Sequence, residues 1–414
     1  MKVVGLITEY NPFHNGHLYH IQEAKRITGA EVAIVVMSGN FVQRGTPAFI
    51  DKYSRTQMAL SCGADIVLEL PVCYATGSAE FFALGAVSIL DKLGIVDFLC
   101  FGSECGDITS ITSIAKILMN EPKEYKEILT SLIKKGKTYP AARMEAIKLY
   151  APYIEDSLLT SPNNILGIEY SKALLKLNSS IQAITMKRKD AAYHEVELTE
   201  SKSFAISSAT AIRKSLRGKQ YLSDIKPHVP ESVYSILQSE FGKKYPIYEE
   251  DYTLLLNYKL MQESAMSLTA YTDVTSDMAN RISRIDSSGL SFLQLAAVIK
   301  TRQWTLTRVN RVLIHILLNL YKENFEQFNQ SGYTQYARIL GIKKASSHFI
   351  RQIIKNERIP VITKLADADT VLSACGKKML KEDIFASHLY NHITFNKFGY
   401  LAKDEFTHGI ILQE

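Results

Sequence analysis

The sequence is short of the residues that mark several large protein classes. It holds five cysteines in 414 residues, Cys62, Cys73, Cys100, Cys105 and Cys375, with no Cys-x-x-Cys pair. An odd, scattered set builds no disulfide framework, so free thiols in a reducing compartment are expected. Cys100 and Cys105 flank a strand end and could be half of a metal site. No His or Cys partner stands at ligand spacing from them. No apolar run approaches the roughly 20 residues of a membrane span. The apolar start Lys2-Val3-Val4-Gly5-Leu6-Ile7 leads straight into a polar motif, which is unlike a signal peptide. A cytoplasmic protein with no membrane contact is expected. A Gly-x-x-x-x-Gly-Lys loop is also missing, so P-loop nucleotide chemistry is not supported. Internal repeats and low-complexity segments are absent too.

The rest of the composition is that of an ordinary soluble chain, 46% hydrophobic and 22% charged. Its length suggests two or three domains. The net charge of +6 is unevenly spread. Between Arg281 and Lys364 lie 14 Lys and Arg against 4 Asp and Glu, so the remainder of the chain is slightly acidic. Such an imbalance points to a polyanion.

The stretch that organises the chain is Ile7-Thr8-Glu9-Tyr10-Asn11-Pro12-Phe13-His14-Asn15-Gly16-His17-Leu18-Tyr19-His20. An apolar strand precedes it, and an amphipathic helix from about His17 to Thr28, closed by Gly29, follows. A strand-to-helix turn in a parallel sheet lies at the carboxyl ends of the strands, where ligands bind. The opening helix favours an anion through its unpaired N–H groups. His14 and His17 share one face of its first turn, and Gly16 leaves room for a phosphate to approach the backbone.

Further strands are expected at 31–37, 65–70, 97–101 and 181–186, with helices from Asp51 to Gly63, Ser78 to Leu93 and Pro162 to Leu177. The alternation predicts an α/β fold, a Rossmann-like doubly wound parallel sheet over residues 1–220. Strand ends deliver Gly102-Ser103-Glu104 and Lys187-Arg188-Lys189. From Ile108 to Tyr150 the pattern is helical. The Lys134-Lys135-Gly136-Lys137 run within it reads as a solvated helix end. A second phosphate cradle is read in Ile206-Ser207-Ser208-Ala209-Thr210-Ala211-Ile212-Arg213-Lys214. Ser208 is cap material there, and Arg213 shares a helix face with Thr210.

Residues 221–248, with three prolines, are expected to connect to an α-helical C-terminal domain over 249–414. Apolar residues at helix spacing run through Phe292–Ile299, Val312–Leu320 and Tyr336–Leu340. Strand-like pieces are expected near Phe398–Tyr400 and Gly409–Leu412. Arg302, Arg308 and Arg311 stand near the single tryptophan, Trp304, and Lys343, Lys344, His348, Arg351 and Lys355 follow. Arginine beside an aromatic ring suits RNA, through phosphate pairing and base stacking.

The histidine motif and the Ile-Ser-Ser-x-x-x-Ile-Arg stretch resemble those of the nucleotidyltransferase superfamily. With Val36-Met37-Ser38-Gly39, Gln43-Arg44-Gly45, Glu69-Leu70-Pro71, Phe101-Gly102-Ser103-Glu104 and Pro162-Asn163-Asn164-Ile165-Leu166-Gly167, the chain resembles the bacterial tRNA(Met) cytidine acetate ligase family. The resemblance implies a nucleotidyltransferase-type fold and an enzyme that makes acetyl-adenylate from acetate and ATP, releasing pyrophosphate. The acetyl group then passes to the wobble cytidine of elongator tRNA(Met). It implies ATP contacts at Ile7–His20, Gly102, Asn163 and Arg188, and catalytic roles for His14 and His17. It also implies Ser208, Thr210 and Arg213 at the β- and γ-phosphates, with Mg2+ accompanying the triphosphate. The basic tRNA-binding residues expected beside these are Arg302, Arg308, Arg311, Lys343 and Lys344. Two other functions fit part of the sequence. A nucleotidyltransferase making a dinucleotide cofactor leaves the basic block without a role, and a non-catalytic RNA-binding protein leaves two phosphate motifs unexplained.

Overall fold

The computed structural model describes residues 1–188, 205–217 and 221–414. Lys189, named above, lies outside these. The central sheet contains β1 (Val3–Thr8), β2 (Val32–Ser38), β5 (Ile66–Leu70), β6 (Phe98–Ser103) and β7 (Gln182–Lys187). A two-stranded antiparallel hairpin, β3 (Phe41–Val42) and β4 (Thr46–Pro47), stands apart from it. From the C-terminal half come β8 (Ala337–Lys343), β9 (Val361–Ile362) and β10 (Ile411–Gln413). The order is β10-β8-β5-β2-β1-β6-β7, with β9 beside β8.

Strands β5, β2, β1, β6 and β7 are mutually parallel, as alternation with helices requires. Each face carries its own apolar layer. Val4, Leu6, Val35 and Val67 pack on one face with Ile21 and Ala24 of the helix Asn15–Thr28. Ile34, Val36, Ile66 and Leu68 pack on the other with Phe82, Val87 and Leu90 of the helix Ala79–Lys92. The chain leaves β1 toward β2 and β5, then returns to the other side of β1 as β6. The switch point is therefore between β1 and β6, where a crevice opens above the strand ends.

Two expectations for the C-terminal half are corrected. Tyr336–Leu340 is not helical: Ala337–Lys343 is a strand, paired antiparallel with β5. A short apolar run buried on both faces carries no period that separates strand from helix. The helix Ala374–Phe398 ends on the first residue of the stretch Phe398–Tyr400 expected to be strand, and Gly399 closes it at φ +70°. The strand expected near the C-terminus is present as β10. The C-terminal half therefore extends the sheet as well as building a helical layer. Leu256, Met278, Leu295, Leu313 and Tyr390 centre that layer, which also encloses Phe41 and Val72. Among the described residues no helix is long and apolar enough to cross a membrane.

A buried charge cluster ties the halves together. Lys52, at the head of the helix Lys52–Ser61, donates to Glu69 Oε1 (2.8 Å), to Ser387 Oγ (2.9 Å) and to Glu405 Oε2 (2.8 Å). Arg338 of β8 donates to Glu69 Oε2 (2.9 Å) and Glu405 Oε2 (2.7 Å). Two cations face two carboxylates. Burial alone would raise the Glu405 carboxyl, but Lys52 and Arg338 outweigh it and hold it at about 2. Removing one member leaves an uncompensated buried charge, so Arg338→Ala should cost about 3–5 kcal/mol of unfolding free energy. Denaturant titration reads that loss. Because the folded pKa of Glu405 is depressed, its contribution is complete above about pH 4.3 and is lost as pH falls toward 2. Glu405→Gln should flatten that acid limb.

Candidate active site

The crevice over β1 and β6 is a cavity of about 290 Å³. Ile7, Thr8, Glu9, Tyr10, Asn11, His14, Gly16, His17, Tyr19 and His20 line it from the first motif. Gly102, Asn163 and Arg188 line it from the far side, and Ser208, Thr210 and Arg213 from the second motif. Pro12, Phe13, Asn15 and Leu18 are outside the lining. Phe13 is fully buried in the core beneath, and Leu18 packs against that core.

The helix begins at Asn15, two residues earlier than the periodicity suggests, because His14 is its N-cap. His14 Nδ1 accepts from the Gly16 N–H (3.1 Å), and His17 Nδ1 accepts from the His14 N–H (3.2 Å). The two rings stack with centroids 3.7 Å apart. A ring nitrogen that accepts carries no proton, so each neutral ring carries its proton on Nε2. Burial first, then the charges of Arg188 and Arg213, push His14 down to about 3. Burial first, then His14 and Arg188, keep His17 far below its ordinary range. Burial and then Arg188 lower His20 to about 4. The pair therefore stands as two neutral Nε2–H donors beside a helix N-terminus. Gly16 has a second reason to lack a side chain: a Cβ there would meet His14 Cε1 at 2.9 Å and disturb the cap.

The second motif is physically joined to the first. Asn15 Nδ2 donates to the carbonyls of Ala205 (2.9 Å) and Pro227 (2.8 Å). Arg213 Nη1 donates to the Asn11 carbonyl (2.5 Å), and its Nη2 donates to Thr210 Oγ1 (3.3 Å). Ser208 caps the helix Ala209–Leu216, accepting from the Ala211 N–H at 3.1 Å. Asn15 is thus a strut between the motifs.

The third wall is the hairpin. Glu9 Oε1 accepts the Gln43 N–H at 2.9 Å, and Gln43, Arg44 and Thr46 line the cavity. Gly45 sits at φ +69°, where a Cβ would overlap the Arg311 backbone nitrogen at 2.2 Å. The hairpin therefore lies against the helix Leu306–Leu317. Among the described residues no group of three or more His, Cys, Asp or Glu could hold a metal. Glu9 is the one carboxylate lining the cavity among the described residues, which by themselves build no cage for Mg2+. The five cysteines are free.

The residues expected to meet RNA are placed apart. Arg308 and Arg311 share the carboxylate of Asp273, at 3.3 and 3.1 Å. Lys343 ends β8, and Lys344 pairs with Glu414. Arg302 is exposed. Trp304 is only 8% exposed and packs into the helical core, which corrects the expectation that it offers a stacking face. The run Lys134–Lys137 begins at the end of the helix Lys123–Lys134, whose Tyr125, Leu129 and Leu132 are buried, and Lys137 pairs with Glu145.

A helix-capping histidine pair at a switch point, faced by a serine-capped helix with an arginine, defines a nucleotidyltransferase. The profile of the family described as HIGH Nucleotidyl Transferase matches residues 1–404. A tRNA(Met) cytidine acetate ligase of Acetivibrio thermocellus is 41% identical, with 100% of both chains covered. One of a Thermoanaerobacter species is 40% identical over 99% of this chain and 100% of its own. The ligand-free crystal structure of Thermotoga maritima TmcAL superposes with a TM-score of 0.92 at 32% identity, over 100% of both chains. The form bound with alpha-thio ATP gives 0.90 at the same identity and coverage. The chain belongs to the HIGH nucleotidyltransferases and, within them, to the tRNA(Met) cytidine acetate ligase family.

Sequence reasoning passed over Asn15 as a strut and Glu104, whose carboxylate meets Asn163. The signal for Glu104 was its place at a strand end, two residues after Gly102. The neutrality of the histidines is open to test. A histidine with a depressed folded pKa costs stability as pH falls below about 6.5, since only the unfolded chain then takes the proton. Nitrogen NMR of the ligand-free protein should show His14 and His17 as unchanged Nε2–H tautomers from pH 8 to pH 5. Titration of either near pH 6.5 would contradict it.

Proposed function

We propose that this protein uses ATP to activate acetate and acetylates the wobble cytidine of elongator tRNA(Met) to N4-acetylcytidine. The observation that carries the reading is the stacked pair of neutral Nε2–H donors braced against the second motif. The acetate oxygen attacks the α-phosphorus, and the bond to pyrophosphate breaks. Negative charge grows on the phosphate oxygens, where His14, His17 and the helix N-terminus offer fixed donors. Ser208, Thr210 and Arg213 hold the leaving β- and γ-phosphates. Gly102, Asn163 and Arg188 accommodate the nucleoside side. In the second step the cytidine N4 attacks the acetyl carbonyl, AMP leaves, and N4 gives up a proton. Mg2+ would arrive with the triphosphate, and no step is drawn through it.

The C-terminal half is assigned to tRNA, through Arg302, Arg308, Arg311, Lys343 and Lys344. The hairpin against the helix Leu306–Leu317 makes this half contiguous with the cavity wall. A single-stranded anticodon loop can lift a cytidine out of its stack at low cost. The cytoplasm, which holds tRNA, ATP and acetate, is the proposed location.

The direct test is mass spectrometry of nucleosides from tRNA(Met) incubated with the protein, ATP and isotope-labelled acetate. Labelled N4-acetylcytidine is expected at the wobble position alone. His17→Ala should keep its circular dichroism spectrum and lose about a hundredfold to a thousandfold in acetate-dependent ATP–pyrophosphate exchange. Exchange at the normal rate in a folded His17→Ala protein would remove the reading. For tRNA, the exposed Arg302 is the cleanest probe. Arg302→Glu should weaken binding and reduce the slope of log affinity against log salt by about one. An unchanged slope would take Arg302 out of the interface.

A further inference from the structure

One carboxylate outside the cavity lining joins two of its walls. Glu104 Oε1 accepts from the Asn163 N–H (3.3 Å) and from Asn163 Nδ2 (2.7 Å). Its Oε2 accepts from the Asn164 N–H at 2.9 Å. In return, Asn164 Oδ1 accepts from the N–H groups of Glu104 (3.0 Å) and Cys105 (3.2 Å). Asn164 is 1% exposed. The helix Pro162–Lys176 has no side-chain cap of its own at Ser161. Glu104 supplies the missing acceptor from another element, with a negative charge that suits a helix N-terminus.

The clamp decides which way the Asn163 amide faces. An ionised carboxylate only accepts hydrogen bonds, so the NH2 of Asn163 must turn to Glu104. The amide oxygen is thereby left as the free end of a side chain that lines the cavity beside Gly102 and Arg188. Among the described residues nothing donates to that oxygen. Arg188 belongs to the same corner. Its Cγ stands 3.2 Å from where a Gly102 Cβ would be; burial lowers its pKa, and Glu104 is the carboxylate that partly offsets this.

We propose that Glu104 is a positioning residue for the nucleotide, holding Asn163 with its oxygen toward the cavity as an acceptor for a donor on the nucleoside. The donor is the exocyclic amine of adenine or a ribose hydroxyl, and a 6-oxo purine offers no amine at that edge. The proposal deepens the function above and rests on the cavity holding ATP.

Calorimetric ATP binding to the full-length protein tests it independently of acetate and tRNA. Glu104→Gln replaces one accepting oxygen by an NH2, so Asn163 loses its fixed orientation. ATP affinity should fall about fivefold to tenfold, the scale of one hydrogen bond. In exchange assays the loss should appear in the KM for ATP far more than in kcat. In an Asn163→Ala background the same change should have almost no further effect. Asn164→Ala, which breaks the return arm without touching the cavity, should weaken ATP binding in the same direction and keeps the test alive if Glu104→Gln does not fold. ITP, 2′-deoxy-ATP and 3′-deoxy-ATP identify the donor: the wild type should bind one of them more weakly than ATP, and Glu104→Gln should discriminate less. Unchanged ATP affinity in folded Glu104→Gln, additive effects with Asn163→Ala, or equal wild-type binding of all four nucleotides would overturn the proposal. A wild-type protein that binds no ATP would instead remove the functional reading, and the proposal with it.

Discussion

The buried ion cluster of Lys52, Glu69, Arg338 and Glu405 is the constraint on which the architecture turns. Charges this far from water persist only when paired and hydrogen-bonded, and each member has its partners here. Their positions matter more than their net energy. Lys52 heads the helix after the cavity-wall hairpin, Glu69 stands in the parallel sheet, Arg338 in the antiparallel strand, and Glu405 in the C-terminal tail. The chain can satisfy all four only by bringing residues more than 300 apart in sequence into one pocket. The antiparallel strand is thereby fixed against β5 in one register, and the hairpin is held between sheet and helical layer.

The proposed chemistry depends on a smaller piece of the same logic. Each imidazole of the histidine pair accepts a backbone N–H through Nδ1, and burial beside two arginines keeps both rings neutral. Neutral rings in fixed tautomers offer donors that need no reorganisation as charge develops on a phosphate. Ion pairing by imidazolium would have required burying two like charges 3.7 Å apart. The second motif reaches the site because Asn15 and Arg213 bond to backbone carbonyls across a sequence gap of about 200 residues.

The basic half shows how charge counting overstates a surface. Arg338 lies in the buried cluster, Arg281 is spent on the carbonyls of Val298 and Ile299, and Arg308 and Arg311 share one aspartate. Two arginines against one carboxylate still leave a positive excess beside the cavity wall.

The amino-acid sequence alone determined the local units. Apolar runs, caps and glycine stops placed β1, β2, β5, β6, β7 and the helices between them, because these signals act over a few residues. The same was true of the histidine motif and the serine–arginine motif, whose side chains and spacing are chemical statements in themselves. Tertiary structure decided what depends on distant partners. Ala337–Lys343 became a strand because β5 offered it an edge, Trp304 became core because a helical layer closed over it, and Asn15 became a strut because Ala205 and Pro227 came within reach. The direction of the Asn163 amide was likewise invisible until Glu104 stood beside it. No local pattern encodes these outcomes, since each is set by which acceptor or apolar face the fold brings alongside.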